Sequence, residues 1–328
     1  MKESEIRSRA AHDRYLELVR RDAEKLAEDA ATFEPVPCPV CGGEDEGESF
    51  VKLGFRYVAC RGCDTLFVSP RPPYVELAKI YQDSESTRFW VEEFFTPMIE
   101  PRREKIFRPR ARFLAERFPE MAAGRIGDVG AGFGLFLEEL RPFWPEAELI
   151  AIEPSEAMAR ICRQKGLSVV DAMLEDVDAE EGRFDVLTAF ELFEHLHDPL
   201  GFLERARALL RPGGLLVMTT LSGLGFDIQF LWQRSRSVSP PHHLNFANPF
   251  TIGRLLERAD LEVVDVATPG ALDWDILQST LDEEEPGPDL RFWRTVQQYG
   301  SREAKGALQS WIHDHGFSSH MRLVARAR

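Results

Sequence analysis

The stretch IGDVGAGFGLFLEEL, residues 126–140, decides the fold. It begins like a buried strand, continues through three closely spaced glycines and ends with the apolar periodicity of a helix. A strand, a glycine turn and a helix in this order form a nucleotide-binding unit. The dinucleotide pattern GxGxxG is incomplete, because Gly130 and Gly132 are followed by Leu135 at the third position, with Gly134 one residue early. The incomplete pattern therefore argues against a dehydrogenase, which is the main alternative among proteins that contain such a strand, glycine turn and helix.

Two carboxylates restrict further which kind of ligand the turn can bind. Asp128 lies at the predicted strand end, where it would repel a pyrophosphate and attract a cationic group. Glu153 ends the next predicted strand and can accept hydrogen bonds from ribose hydroxyls. Such a pair suits a nucleoside with a cationic tail and no phosphate, and S-adenosylmethionine (SAM) fits that description. The plainer alternative is two solvated acids at a sheet edge.

Strand and helix patterns alternate from residue 126 onward. This alternation predicts an α/β fold with a Rossmann-like, doubly wound parallel sheet and helices on both faces. In such sheets ligands bind beyond the carboxyl ends of the strands, at the point where the strand order reverses.

Four of the five cysteines form two CxxC pairs separated by 18 residues, which is zinc-ribbon spacing. Four thiolates complete the tetrahedral coordination of zinc and leave no open position, so the predicted zinc is structural. The predicted ligands are Cys38, Cys41, Cys60 and Cys63.

The sequence divides the chain into four segments. We predict an N-terminal helical arm at 1–36, the zinc ribbon at 37–70, a helical lid or linker at 71–120, and the nucleotide-binding domain at 121–328 with an insertion at about 271–316. A basic cluster in the helical segment is either a solvated face or a site for an anionic substrate group. Its members are Arg102, Arg103, Lys105 and Arg108.

The net charge of the chain indicates which partners it can bind. The 328 residues carry a formal net charge of −15, and an acidic surface disfavours general binding to nucleic acid. The N-terminus lacks the continuous apolar core of a signal peptide, and no later run is long and apolar enough to span a bilayer. We therefore expect a cytoplasmic protein with no membrane partner, and the sequence leaves oligomerisation open.

Four segments together resemble the class I SAM-dependent methyltransferases: DVGAGFG, IEPS, FDVLTAFELFEHLHDP and LRPGG, between residues 124 and 328. The resemblance implies a seven-stranded Rossmann-like sheet, SAM as cofactor, and methyl transfer. It also implies contacts to the methionine part before Glu153, to ribose and adenine from 153 to 173, and to the sulfonium side after the fourth strand. The cofactor-binding residues expected are Asp128, Gly130, Ala131, Gly132, Gly134, Glu153, Pro154, Asp171, Ala172, Met173 and Phe190, with Tyr81 from the aromatic segment.

Two further segments carry candidate catalytic residues. ELFEH supplies Glu191, Glu194 and His195, which helical spacing would place on one face, and SPPHHLNF supplies His242 and His243. A histidine can act as general base for a hydroxyl acceptor. The pattern ExxEH with a later histidine also resembles the divalent-metal site of ubiquinone-pathway O-methyltransferases and small-RNA 2′-O-methyltransferases, which implies a magnesium-like ion. A third reading is that the histidines only shape the pocket.

We expect methyl transfer to a hydroxyl of a small molecule, such as a sugar, a nucleotide-sugar or a secondary metabolite. A zinc ribbon before a methyltransferase domain resembles the sugar C-methyltransferases, but those carry a further C-terminal domain that this chain is too short to hold. C- or N-methylation of a sugar nucleotide therefore stays open. The sequence is also compatible with a ribbon that recognises a macromolecule for methylation, and with a domain that binds SAM without turnover.

Overall fold

The strands and helices expected from the sequence are present in a computed structural model, which describes residues 2–178, 183–283 and 290–328. The strands are β1 (Glu46–Lys52), β2 (Phe55–Cys60), β3 (Leu66–Val68), β4 (Arg125–Val129), β5 (Glu148–Ile152), β6 (Ser168–Val170), β7 (Phe184–Phe190), β8 (Leu210–Leu221), β9 (Asn245–Phe246), β10 (Leu261–Ala267) and β11 (His320–Ala327). The α-helices are α1 (Arg9–Ala27), α2 (Tyr74–Asp83), α3 (Glu85–Phe89), α4 (Ile99–Arg102), α5 (Arg108–Arg117), α6 (Leu135–Leu140), α7 (Glu156–Gln164), α8 (Pro199–Leu209), α9 (Phe226–Leu231), α10 (Gly253–Arg258), α11 (Asp273–Glu283), α12 (Arg291–Tyr299) and α13 (Arg302–Asp314).

A sheet of seven strands lies at the centre, in the order β10-β11-β8-β7-β4-β5-β6. Neighbours from β4 to β8 pair in parallel, and β11 runs antiparallel between β8 and β10. The chain moves outward from β4 to β6 and then returns to place β7 on the other side of β4. The strand order therefore reverses at β4, and a ligand crevice is expected at the carboxyl ends of β4 and β7. The predicted α/β fold is confirmed.

The alternation of side chains along the central strands builds a core on each face of this sheet. Ile150 and Ile152 of β5 join an apolar cluster with residues of α8 and α10. Leu149 and Ala151, their neighbours in sequence, join another cluster with residues of α5, α6 and α7. Cys162, in α7, is buried in the second cluster, as the helical pattern around it indicates.

The zinc-ribbon segment forms part of a second, antiparallel sheet, in the order β1-β2-β3-β9. β1, β2 and β3 lie within the predicted ribbon, whereas β9 comes from residues 245–246, between β8 and β10 of the larger sheet. Ribbon residues Val58 and Phe67 belong to the same apolar cluster as the core of the seven-stranded sheet. The ribbon and the larger sheet are therefore packed against one another through a shared core.

The helical segments pack around these two sheets. Ala23 and Leu26 of α1 join an apolar cluster with Tyr57 of β2 and Leu77 of α2, so the N-terminal helix lies against the ribbon. Helices α11 and α13 of the predicted insertion pack on α9. Part of that insertion, residues 284–289, lies outside the described residues. Among the helices that the structure describes, none has the length and apolarity needed to cross a bilayer.

A substitution at Gly127 tests how closely β4 packs against β7. A Cβ added there would lie 2.8 Å from Leu187 Cδ2 and 2.8 Å from Phe184 Cε1, both on β7. Overpacking of this kind costs roughly 1–3 kcal/mol, so we expect Gly127→Ala to lower the free energy of unfolding by that amount in urea titrations followed by circular dichroism. In α13, a Cβ at Gly306 meets nothing within 4 Å, and the control Gly306→Ala should raise stability by about 0.5–1 kcal/mol. Equal stability of the Gly127→Ala protein and the wild type would contradict this packing.

Candidate active site

A glycine turn follows β4, with Gly130, Gly132 and Gly134 all in the left-handed region at φ 65°, 55° and 69°. The turn brings the Gly132 amide to Glu153, and this N–H donates to Glu153 Oε2 at 2.7 Å. The Ser155 N–H donates to the other carboxylate oxygen at 2.9 Å. Glu153 is buried, and this burial raises its pKa despite the two hydrogen bonds.

Asp128, at the end of β4, is the second buried carboxylate of the turn. Its Oδ1 accepts a hydrogen bond of 2.6 Å from Thr188 Oγ1 on the neighbouring strand β7. Burial raises the pKa of Asp128 to about 7, although Thr188 and the nearby Arg110 favour the charged form. A cationic ligand group beside this carboxylate would offset the cost of burying its charge.

A cavity of about 1330 Å³ extends from the glycine turn to the histidines. This exceeds the usual range of roughly 300–1,000 Å³ for one small-molecule site, so the cavity has room for a cofactor together with an acceptor. The predicted site residues that line it are Tyr81, Asp128, Gly130, Ala131, Gly132, Glu153, Pro154, Met173, Phe190, Glu191, Glu194, His195, His242 and His243.

Three predicted cofactor-binding residues, Gly134, Asp171 and Ala172, do not line this cavity. A Cβ at Gly134 would lie 2.6 Å from Leu167 Cδ1, so this glycine allows α6 to pack closely. Asp171 forms an ion pair with Arg163 at 3.1 Å.

Glu191 lies outside the short helical turn that carries Glu194 and His195. It follows β7 with a left-handed backbone, at φ 53°, and its carboxylate accepts hydrogen bonds from Arg110 and from Thr219 Oγ1. Burial alone would raise its pKa, but the charges of His320 and Arg110 outweigh burial and lower it. The expectation that Glu191, Glu194 and His195 share one helical face is therefore wrong, because the backbone at Glu191 is left-handed and only residues 193–195 form a short 3-10 helix.

Glu194, His195 and His243 do come together, with one potential ligand atom of each within 4.8 Å of the others. Glu194 Oε2 accepts a hydrogen bond of 2.8 Å from Thr220 Oγ1. His243 Nδ1 lies 2.6 Å from the Ser237 carbonyl oxygen. Since a carbonyl oxygen only accepts, Nδ1 carries the proton and Nε2 keeps a free electron pair.

Burial shifts the pKa values of all three side chains in this cluster. It lowers the pKa of His195 to about 4 and that of His243 to about 4, so both imidazoles are neutral at pH 7. Burial and the charge of Glu191 raise the pKa of Glu194 to about 7. His195 Nδ1 is buried and has no hydrogen-bond partner among the residues that the structure describes. These groups could offer two imidazole nitrogens and one carboxylate oxygen to a cation.

His242 and Tyr81 lie beside the cluster. The His242 ring is 5.4 Å from the Tyr81 ring, and its Nε2 is 3.4 Å from Ser86 Oγ. The Tyr81 hydroxyl donates to the His242 carbonyl at 3.0 Å. Burial lowers the pKa of His242 to about 3, so this histidine is a neutral wall of the cavity.

Known protein families include one that this chain matches. A family model described as a methyltransferase domain matches residues 98–266, which is more than half of the 328 residues. The chain belongs to this methyltransferase family. The predicted membership of the class I SAM-dependent methyltransferases is confirmed.

Two relatives are called ubiquinone biosynthesis O-methyltransferase. The one from Xanthomonas oryzae pv. oryzae is 30% identical over 161 residues, which cover 45% of this chain and 66% of the relative. The one from Bradyrhizobium sp. is 36% identical over 104 residues, which cover 30% of this chain and 40% of the relative. The matching part of this methyltransferase thus spans less than two thirds of either relative.

A solved structure is also similar, that of the O-methyltransferase from the trans-AT PKS multienzyme of Brevibacillus brevis in complex with S-adenosyl-L-homocysteine. It is 14% identical with a TM-score of 0.46, and the match covers 69% of this chain and 73% of that chain.

The four paired cysteines of this methyltransferase form one cluster. The sulfurs of Cys38 and Cys63 are 3.4 Å apart, those of Cys41 and Cys60 are 3.5 Å apart, and all four lie within 4.8 Å of one another. Sulfurs at about 2.3 Å from one tetrahedral zinc would be about 3.8 Å apart. The cluster therefore fits the predicted zinc ribbon.

The basic cluster divides in two. Three of its members form ion pairs with acidic side chains, whereas Arg102 lines the cavity and lies 4.6 Å from the centre of the Phe95 ring. The three ion-paired members are Arg103 with Glu138 and Glu139, Lys105 with Glu5, and Arg108 with Glu139.

Several residues of the site were missed by sequence reasoning. Thr219 and Thr220 lie near the end of the buried strand β8 and donate hydrogen bonds to Glu191 and Glu194, and two hydroxyls near a predicted strand end were the signal for them. Arg110 and Ser237 reach the site only through the tertiary fold, and nothing local in the sequence marks them.

Proposed function

We propose that this methyltransferase transfers the methyl group of SAM to a hydroxyl of a small molecule, with Glu194, His195 and His243 holding a divalent cation. The observation that carries the proposal is that these three side chains open into the same cavity as Asp128 and Glu153. The relatives called O-methyltransferases support oxygen as the atom methylated. The acceptor that we favour is a sugar, a nucleotide-sugar or another hydroxylated secondary metabolite.

The donor set favours one kind of cation. Two neutral imidazoles and one carboxylate suit first-row transition ions such as Mn²⁺, whereas magnesium prefers oxygen ligands and bound water. When bound, such an ion would acidify the acceptor hydroxyl. Thr220 holds the Glu194 carboxylate and the Ser237 carbonyl fixes the ring of His243, so the chain pre-orients both ligands.

Mn²⁺ binding tests the cation site. We expect wild-type protein to bind one Mn²⁺ per chain in addition to its zinc, as measured by electron paramagnetic resonance. His243→Ala removes one ligand and should weaken this binding by about tenfold or more, while His315→Ala, at an exposed histidine, should leave it unchanged. Absence of Mn²⁺ binding in the wild type would remove the cation from the proposal.

A histidine base is the second candidate mechanism. It is favoured by the free electron pair at His243 Nε2, which follows from the hydrogen bond between Nδ1 and Ser237. In that mechanism His243 would take the hydroxyl proton directly, and methyl transfer would proceed without an added cation. The Mn²⁺ titration separates the two mechanisms.

On the cofactor side, we propose that Asp128 binds the amino group of SAM and that Glu153 binds the ribose. Asp128 faces the cavity at the glycine turn, and its carboxylate is fixed by Thr188. Glu153 is fixed by the backbone of Gly132 and Ser155, and it has further acceptor capacity for hydroxyls. The remaining work of the enzyme is alignment of the acceptor with the methyl group.

The raised pKa of Asp128 predicts a pH dependence of cofactor binding. Because the carboxylate form binds an ammonium group, affinity for S-adenosylhomocysteine should rise as pH increases from 5.5 through the pKa of about 7, by up to about tenfold per pH unit on the acid side. Calorimetry on Asp128→Asn should show weaker binding without this rise. Methylthioadenosine, which has no amino group, is the control and should bind both proteins without it. An equal rise for S-adenosylhomocysteine in both proteins would contradict the role of Asp128.

We further propose that the acceptor carries an anionic group that binds Arg102. The Nε atom of Arg102 is buried without a hydrogen-bond partner among the described residues. Burial, together with the charges of Arg7 and Arg110, lowers the pKa of Arg102 to about 10, which still leaves it charged at pH 7. A buried guanidinium N–H without an acceptor is costly, and a carboxylate or phosphate in the cavity would satisfy it.

Inorganic phosphate is a probe for this anion site. Protein saturated with S-adenosylhomocysteine should bind phosphate, and Arg102→Met should weaken that binding by about tenfold. Arg108→Met is the control, because Arg108 is already paired with Glu139. If Arg102→Met instead weakens S-adenosylhomocysteine and leaves phosphate binding unchanged, Arg102 binds the cofactor carboxylate and the proposal of an anionic acceptor fails.

The contacts of the ribbon disfavour a macromolecule as acceptor. The Cys63 carbonyl accepts hydrogen bonds from Asn248 and Thr251, and the Val40 carbonyl accepts one from Arg258. The metal-binding end of the ribbon is therefore in contact with the methyltransferase domain itself, which favours a structural role for that end over recognition of another molecule.

A further inference from the structure

The zinc ribbon extends to the edge of the active site. We infer that the ribbon is a positioning element, which holds the backbone of His243 next to Glu194 and His195 and depends on its metal to do so. This inference rests on the proposed function, because it assigns the ribbon a role toward the proposed cation cluster. It gives the predicted structural zinc a task in the reaction without any contact to a substrate.

The first link is a strand pair. Ribbon strand β3 pairs with β9, which begins two residues after His243, with Leu66 opposite Phe246 and Phe67 opposite Asn245. The Val68 N–H donates to the Leu244 carbonyl at 2.9 Å. The Leu244 N–H in turn donates to the Glu194 carbonyl at 2.7 Å. The backbone beside His243 is thus held between the ribbon on one side and Glu194 on the other.

The second link is Tyr57, on ribbon strand β2. Its side chain is fully buried, and its hydroxyl donates a hydrogen bond of 2.9 Å to the His243 carbonyl. Cys60, a predicted zinc ligand, ends the same strand three residues later. A single short strand therefore connects a zinc ligand to the backbone of a proposed catalytic histidine.

The third link is Arg71, which follows β3 and is 2% exposed. It donates to the His197 carbonyl at 2.7 Å and to Asn245 Oδ1 at 3.1 Å. The Asn245 amide donates to the Leu196 carbonyl at 2.6 Å. Arg71 thus joins the two segments that carry the cluster, one after His195 and one after His243.

The fourth link is at Cys63, a predicted zinc ligand. Asn248 Nδ2 and Thr251 Oγ1 donate to the Cys63 carbonyl at 2.7 and 2.9 Å. Cys63 lies three residues before β3, so the same cysteine hook holds both sides of the β3–β9 pair. The segment from 243 to 251 is consequently fixed to the ribbon at both of its ends.

Zinc is needed because the ribbon strands are short. β3 has three residues and β9 has two, and strands of this length are marginal without a further constraint. Metal binding supplies free energy that orders such a segment. Loss of zinc should therefore loosen the β3–β9 pair and shift His243, while Asp128 and Glu153, which are fixed within the seven-stranded sheet, should stay in place.

The test is nuclear magnetic resonance of histidine side chains in the full chain labelled with ¹⁵N-histidine, without added divalent cation at the active site. In zinc-loaded protein, the Nδ1–H of His243 should give a protected signal, because it is bonded to Ser237. Removing zinc with a chelator should shift or broaden the signals of His243 and His195, and zinc should restore them. S-adenosylhomocysteine affinity should change less than about threefold. Unchanged histidine signals in zinc-free protein would overturn the inference.

Tyr57→Phe keeps the inference testable if zinc removal unfolds the chain. This variant retains all four cysteines and removes only the hydroxyl that binds the His243 carbonyl. It should bind one zinc per chain and still shift the His243 signal, whereas Tyr299→Phe, at an exposed tyrosine of α12, should not. A His243 signal identical to that of the wild type would overturn the inference. The readout needs neither methyl transfer nor a bound cation, so failure of the proposed function would be seen separately.

Discussion

The carboxyl ends of β4, β7 and β8 lie side by side because these strands are parallel neighbours in one sheet. Asp128 ends β4, Glu191 follows β7, and Thr219 lies near the end of β8. This alignment, and the reversal of strand order at β4, creates the cavity that we propose for the cofactor and the acceptor. The helices and the ribbon add walls to a site whose position the strand order determines.

Burial then sets the chemistry of that site. It raises the pKa values of Asp128 and Glu194 and lowers those of the neighbouring histidines, so the neutral forms of these four groups are favoured over their charged forms. A cationic ligand relieves the cost of the buried carboxylates, and an anionic one relieves the cost of Arg102. These costs motivate the proposal of SAM at one end of the cavity and of a charged or metal-bound acceptor at the other.

Local patterns predicted the parts of the site that are formed by consecutive residues. The glycine turn, the strand-end acids and the two CxxC pairs are each encoded within a few positions, and the structure shows the turn and brings the four cysteines together. The absence of a helix linking Glu191 to Glu194 was not predictable from spacing, because Glu191 has a left-handed backbone and its carboxylate binds Arg110 from a distant helix. The pairing of β9 with the ribbon was not predicted either, because a strand of two residues is too short to show an alternating pattern of apolar residues.

The most direct measurement is a crystal structure of the protein with S-adenosylhomocysteine and Mn²⁺, with anomalous diffraction used to locate each metal. We expect zinc among the four cysteine sulfurs, Mn²⁺ beside Glu194, His195 and His243, and the nucleoside with its amino group at Asp128 and its ribose at Glu153. A nucleoside bound away from these carboxylates, or no nucleoside in a zinc-loaded crystal, would contradict this expectation.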